Sequence, residues 1–271
     1  MAQVEEFQRA LNLRTAGAWP EYAGHRQRVT ELVGGSAQGL PLCVLGAGNC
    51  NDIDLTQLVP RFRQIVLVDI DAASTESAVA RQPPAVRNVI EVRAPVDFSG
   101  LAELSQSRAA SPATSADIAN QVAKLITREP FDLVVSTCVL SQIIDQVRTQ
   151  FGEESERCLP LVQAVRELHL LLLLQLLRVG GRGVLISDMV SSDTAPNLAA
   201  TEPQALPVLM ARLVAAKNFF TGLNPFVIEG LIKQHPSLAP LVARTALHPP
   251  WLWQLGSSRS YLTFAMSFQR R

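Results

Sequence analysis

The stretch PLCVLGAGNCND, residues 41–52, decides how the rest of the chain is read. Its apolar run, LCVLG at 42–46, passes directly into a turn with glycine at 46 and 48. An uninterrupted apolar run bounded by turn residues fits a strand buried on both faces, as in a parallel sheet. Glycine at both positions lets the backbone turn tightly and approach a ligand without side-chain obstruction. A GxG also serves as an ordinary tight turn, and Cys50 stands where many ligand-binding turns carry a further glycine.

Downstream, the pattern repeats. IVLVD at 65–69 reads as a second strand, and Leu55, Leu58 and Val59 fit a short intervening helix that ends near Pro60. NVIEV at 88–92, FDLVVST at 131–137 and GVLISD at 183–188 supply three further strands. Between them, Ile118, Val122, Leu125 and Ile126 place apolar groups on one helical face, and Leu161 to Leu177 forms the strongest helix. Strands alternating with helices in this order favour a mainly parallel sheet covered on both faces. WLWQL at 251–255 and SYLTFAMSF at 260–268, joined through GSSR, read as an antiparallel edge hairpin.

The flanks read as caps on a single domain spanning 1–271. Residues 1–34 form an N-terminal helical cap, with Val4, Phe7 and Leu11 at helical spacing, then Trp19, Tyr22, His25, Arg26 and Val29. Residues 191–247 form a second helical cap on the ligand side, interrupted by NFFTGLNP.

Composition narrows the partners. At 29.5 kDa the chain can bury one substantial core. Apolar residues are 48%, charged residues 18% and mean hydropathy +0.17, which excludes broad disorder. With 24 basic and 24 acidic residues the formal charge is zero, so no nucleic-acid partner is expected. Cys43, Cys50, Cys138 and Cys158 follow neither a disulfide framework nor a metal-ligand spacing, and His235 and His248 are isolated, so no metal is expected. A signal-like apolar core is absent before the first strand, which gives a cytoplasmic expectation. LHLLLLLQLL at 168–177, with His169 inside it, falls short of a span of about 20 residues and reads as a buried helix rather than a membrane segment.

Three acids follow strands. Asp69 ends the second strand, 23 residues after Gly46, where a carboxylate can accept from ribose hydroxyls; a helix cap or solvated acid is the plainer reading. Asp71 suits the cap of the next helix. Asp97 can accept from an adenine amino group with Phe98 covering the base edge, or Asp97, Ser99 and Gly100 can make a turn with Phe98 in the core.

Taken together, LCVLGAGNCNDIDL, IVLVDIDAAS, VRAPVDFSG, FDLVVSTCVLSQI and LLRVGGRGVLISD resemble the class I S-adenosylmethionine-dependent methyltransferases over roughly 40–190. The resemblance implies a Rossmann-like α/β fold: a seven-stranded, mostly parallel sheet with helices on both faces and a C-terminal antiparallel strand pair. It further implies S-adenosyl-L-methionine as cofactor. Gly46, Ala47 and Gly48 would line its methionine and ribose side, and Asp69, with Ile70 beside it, would bind the ribose. Asp97 and Phe98 would contact adenine, and Cys138 and Val139 would lie alongside at the fourth strand end. Two positions depart from the family: Val44 replaces an acid, and Cys50 replaces the last glycine. Asn49, Asn51 or Asp52 can supply the missing polar contacts.

Methyl transfer needs no protein nucleophile, because the cofactor's sulfonium carries the activated group and the protein aligns the acceptor. Where the acceptor must lose a proton, Asp188, Tyr22 and His25 are the candidate bases. A turn role for Asp188 and a packing role for His25 compete with that. Trp19 and Arg26 can close over the methionine end or the substrate, as can packing and solvation alone. Phe219 and Phe220 can wall an acceptor pocket with Asn224 giving polar recognition, or form a buried turn between helices. Trp251 and Trp253 share one strand face and read as core. The expected function is methyl transfer to a small or medium-sized acceptor; the alternatives are an NAD(P)-linked oxidoreductase and a noncatalytic binding protein retaining the fold.

Overall fold

The computed structural model describes residues 2–35, 38–106, 112–256 and 259–271, so Ser257 and Ser258 of the expected GSSR connection lie outside the described residues. The cap holds α1 (Ala2–Thr15), a 3-10 turn (Trp19–Tyr22) and α2 (Ala23–Gly34). Then come β1 (Leu40–Leu45), α3 (Leu55–Leu58), β2 (Phe62–Val68), α4 (Ala72–Ala80), α5 (Pro84–Arg87) and β3 (Ile90–Arg93). α6 (Leu101–Gln106), α7 (Pro112–Ile126), β4 (Phe131–Thr137), α8 (Val139–Phe151), α9 (Cys158–Leu176) and β5 (Leu177–Ser191) follow. The chain closes with α10 (Leu206–Ala215), α11 (Pro225–Gln234), β6 (Val242–Leu247), β7 (Trp251–Leu255) and β8 (Arg259–Arg270).

The strands form one sheet in the order β3-β2-β1-β4-β5-β8-β6, with β7 also paired to β8. The first five are parallel, and β8 runs antiparallel to β5, β6 and β7. This is the Rossmann-like methyltransferase fold expected from the sequence. β1 shows why its apolar run has no polar alternation: Cys43 and Leu45 enter the core on one face, and Leu42 and Val44 enter the core on the other. A strand buried on both faces has no solvent side to mark with polar residues. α9 packs between the sheet and helices α6, α7 and α8. Leu170 to Leu174 are all buried, so its leucines surround the helix instead of forming a stripe. By length and composition α9 could cross a membrane, but 72% of that window is buried inside the domain.

Three expectations need correction. The C-terminal hairpin is an edge on one side only: β7 pairs with β8 alone, but β8 lies inside the sheet between β5 and β6. β6 pairs with residues 266–270 of β8 and β7 with residues 259–263, so the two lie end to end along one side of it. His248, Pro249 and Pro250 separate them, and two prolines without N–H groups break what would otherwise be one strand. Eight segments therefore occupy seven places. The cap expected to be helical over 191–247 contains α10 and α11, but its last six residues are β6. Finally, β5 starts at Leu177, well before 183, with the Gly180-Gly181 turn inside it as a bulge opposite Phe131–Leu133. Arg270 donates to the carbonyls of Leu174, Gln175 and Leu177, capping α9 where β5 begins without a loop.

Candidate functional site

In an open parallel sheet, the crevice outside the strand C-termini is where ligands bind. Here that rim carries the glycine turn after β1, Asp69 after β2, Asp97 after β3 and Cys138 after β4. Gly46 has φ +77 and Gly48 φ +45. A Cβ at Gly46 would stand 2.5 Å from Val139 Cβ, so glycine there lets the turn touch the start of α8. A Cβ at Gly48 would meet Asn12 Oδ1 at 2.7 Å, so α1 lies directly over the turn. Cys50, at φ +56, adopts the left-handed conformation that the absent glycine would take. Burial pushes its thiol up to about 12, which leaves it a small apolar filler. Cys138 caps α8 at φ +51, and burial pushes its thiol up as well.

Asp69 is buried, and both its oxygens are engaged: Oδ2 accepts from the Gly48 N–H at 2.8 Å, and Oδ1 from the Asp71 N–H at 2.9 Å. Burial raises its carboxyl to about 6 against the opposing pull of these N–H donors. Asp71 is a helix cap, accepting from the Ser74 N–H at the start of α4 and from Asn12 Nδ2 at 3.0 Å. Asp97 makes the turn that the sequence offered, with Phe98 buried in the core beside it. Its Oδ1 accepts from the Ser99 N–H at 2.9 Å and Oγ at 2.7 Å, a turn that also fixes the carboxylate at the rim of a cleft.

Two clefts meet at Asp69. The first, about 270 Å³ including its mouth, is apolar and lined by Ile70, Val96, Phe98, Val139 and Ile143, with Asp97 at its edge. The second, about 340 Å³, is polar and lined by the glycine turn with Asn49, Asn51, Asp52, Tyr22 and Gln142. α1 runs over both, placing Val4 and Gln8 in the first and Asn12 and Thr15 in the second. Asn49 donates to the Asn12 carbonyl at 2.7 Å and Asn51 to the Thr15 carbonyl at 2.8 Å. These two amides satisfy carbonyls that the end of α1 leaves without intrahelical partners.

His25 is buried, and its tautomer follows from its neighbours. An indole N–H can only donate, so the contact from Trp251 Nε1 makes Nδ1 an acceptor at 3.2 Å. The proton therefore sits on Nε2, which donates to Asp52 Oδ1 at 3.0 Å. Trp253 stacks on the imidazole, centroids 4.6 Å apart, and Tyr22 packs on Trp253 at 4.8 Å. With both nitrogens engaged, His25 offers no lone pair to an acceptor's proton. His25, Asp52 and Cys138 bring possible metal-ligating atoms within 4.8 Å of one another, but a protonated Nε2 cannot ligate. Tyr22 lines the polar cleft with its hydroxyl pushed far up by burial. Asp188 is buried at the end of β5, accepts from Ser141 Oγ at 2.6 Å and is raised by burial; it lines neither cleft.

The residues expected around a substrate do not converge on either cleft. The Arg26 guanidinium lies 3.5 Å from the Trp19 ring centre and donates to the carbonyls of Trp19 at 2.8 Å and Asn51 at 3.2 Å, tying the cap to the glycine turn. Phe219 and Phe220 pack against the larger core, and the Phe220 N–H donates to the Met189 carbonyl at 2.7 Å. Asn224 caps α11, accepting from the Phe226 N–H at 3.0 Å. These five residues line neither cleft. Conversely, sequence reasoning missed Asn12, Thr15 and Gln142. Nothing in the periodicity of α1 marks it as a cover for a turn more than 30 residues away.

No family model and no curated protein matches the sequence. Similar solved structures include an O-methyltransferase family protein from Burkholderia thailandensis (13% identity, TM-score 0.45, covering 97% of this chain and 59% of that one). Another is an O-methyltransferase family 2 protein from Planctomyces limnophilus in complex with apigenin (14%, TM-score 0.49, 97% and 62%). A third is an O-methyltransferase from Bacillus cereus in complex with SAH (14%, TM-score 0.45, 99% and 91%). This chain spans about three fifths of the length of the first two. The strand order, with five parallel strands and an antiparallel β8 inserted between β5 and β6, defines the fold as that of the class I methyltransferases.

Proposed function

We propose that this protein binds S-adenosyl-L-methionine and transfers its methyl group to a small or medium-sized acceptor in the cytoplasm. The observation that carries this reading is the junction of an apolar and a polar cleft at Asp69. Adenine suits the first cleft, where Phe98 and Val139 give apolar contact and Asp97 can accept from its amino group. Ribose hydroxyls suit Asp69, and the zwitterionic methionine end suits the amides and backbone groups of the second cleft. When bound, the cofactor supplies an activated methyl group on its sulfonium. The protein's part is to orient that methyl group toward the acceptor and exclude water, with α1 covering the site.

A dinucleotide fits less well. Its pyrophosphate would use the helix N-terminus after the glycine turn. Here α3 has only four residues, and Asp54 already occupies its N-terminus by accepting from Thr56 and Gln57. Among the described residues no lysine or arginine lines the polar cleft, whereas Asp52 and Asp69 do. The four cysteines are free and buried, in keeping with a reducing compartment.

Calorimetric titration with S-adenosylmethionine, with NAD as control, tests the cofactor. Saturable binding to the former alone supports the proposal, and binding to NAD alone overturns it. Methyl transfer to any member of a small-molecule acceptor panel then separates an enzyme from a noncatalytic binder of the same cofactor.

A further inference from the structure

Within this cofactor reading, the methionine end brings an α-ammonium into the polar cleft, and a buried ammonium needs an anionic or well-bonded acceptor. Val44, at the position where the related pattern carries an acid, is buried in the sheet between Leu67 and Val135. Asp69 stands at the junction of the clefts with each oxygen already accepting from a backbone N–H. Asp52 is the other carboxylate lining the polar cleft, and its Oδ1 is held by His25. Its Oδ2 has no hydrogen-bond partner among the described residues.

We infer that Asp52 receives the ligand's α-ammonium, and that His25 and Trp251 are positioning residues that hold it in place. The hydrogen-bond chain runs in one direction. Trp251 Nε1–H donates to His25 Nδ1, which fixes the imidazole proton on Nε2, and Nε2–H donates to Asp52 Oδ1. A neutral histidine in this tautomer orients the carboxylate without cancelling its charge, so the full negative charge remains for the ligand. The stacking of His25 on Trp253 locks the ring plane and with it the direction of the Asp52 contact. The negative charge absent from β1 is thus supplied from the far side of the glycine turn, and strand β7 secures it. The ligand's carboxylate, with no cation lining the cleft, is left to neutral donors such as Gln142 and the second amide N–H of Asn51, since Asn49 Nδ2 already donates to the Asn12 carbonyl and Thr15 Oγ1.

The test compares two probes by calorimetry: S-adenosylhomocysteine, which has the amino acid end, and 5′-methylthioadenosine, which has the nucleoside and a thioether but no aminocarboxylate. Asp52→Asn is expected to weaken S-adenosylhomocysteine binding by about tenfold to a hundredfold, the range for a charge-assisted hydrogen bond, while 5′-methylthioadenosine binds as to the wild type. Equal loss for both probes, or no loss for either, overturns the assignment. Trp251→Phe removes the indole N–H, and a smaller loss confined to S-adenosylhomocysteine is expected. If Asp52→Asn does not fold, Trp251→Phe decides: an unchanged ratio of the two affinities overturns the proposal. Wild-type protein that binds neither probe overturns the cofactor reading itself, and the role of Asp52 with it.

Discussion

Gly48 and Asp69 follow different strands, and a 2.8 Å hydrogen bond from the Gly48 N–H to Asp69 Oδ2 joins them. The glycine turn and the strand-end acid are therefore one structural unit, and the acid shapes the turn as well as lining both clefts. Asp69→Ala strands the N–H groups of Gly48 and Asp71 in a buried place, at a cost of about 1–3 kcal/mol for each group left unsatisfied. Denaturant unfolding should show that loss, and calorimetry should show weaker S-adenosylmethionine binding. Asp69→Asn, which keeps one acceptor oxygen, should lose less stability.

The same carboxyl sets a pH dependence. Burial raises Asp69 from 3.8 to about 6, so between about pH 4 and 6 the folded chain keeps a proton that the unfolded chain releases. Its contribution to stability is present at the acid end of this window and is lost as pH rises through about 6. Asp69→Asn should flatten that decline in a melting-temperature series. Cofactor affinity should run the opposite way, rising between pH 5 and 7 by at most about tenfold per unit as the accepting carboxylate forms. A pH-independent affinity in the wild type would count against Asp69 as the ribose ligand.

Gly46→Ala forces a side chain onto a backbone at φ +77 and 2.5 Å from Val139 Cβ. The left-handed conformation alone costs about 1–2 kcal/mol. Displacing α8 adds to that and disturbs the apolar cleft that Val139 lines. Lower thermal stability together with weaker binding is the expected result; unchanged binding would separate the turn from the ligand site.

Asn12 is a latch between α1 and the body of the domain, donating to Asp71 Oδ2 at 3.0 Å. Gly17, which follows this helix, has open space around it. Asn12→Ala should speed protease cleavage between Thr15 and Trp19 and raise both the association and dissociation rates of the cofactor. Stopped-flow fluorescence would measure those rates, and a role for α1 remote from the clefts would leave them unchanged.

Asn224 separates a structural from a recognition role most directly. As the cap of α11 it accepts from the N–H groups of Phe226 and Val227, and its loss should cost about 1 kcal/mol. Asn224→Ala should lower the melting temperature and leave the affinities for cofactor and acceptor unchanged.

Much of this protein is legible locally. The apolar part of the LCVLG run sits in β1, which both cores enclose, the glycine pair occupies positive-φ positions just after it, and Asp69 follows β2 at the rim. FDLVVST coincides with β4 to the residue. Such features follow from short-range periodicity and the conformational freedom of glycine, which a linear sequence carries in full. β6 escaped notice because VARTAL buries only Val242 and carries little apolar pattern. Residues matched to ligand chemistry by type alone, such as Arg26 and Asn224, turned out to serve backbone carbonyls and a helix end.

The sequence by itself determined the succession of the five parallel strands, the two-faced burial of the sheet and the place of the glycine turn and its acid, because each depends on neighbours within a few residues. Tertiary structure alone decided which cleft each side chain reaches. His25 takes its tautomer from Trp251, 226 positions away, and Asn12 meets Asp71 across 59. A hydrogen bond depends on distance and direction in space, and neither is written in the spacing of residues along the chain.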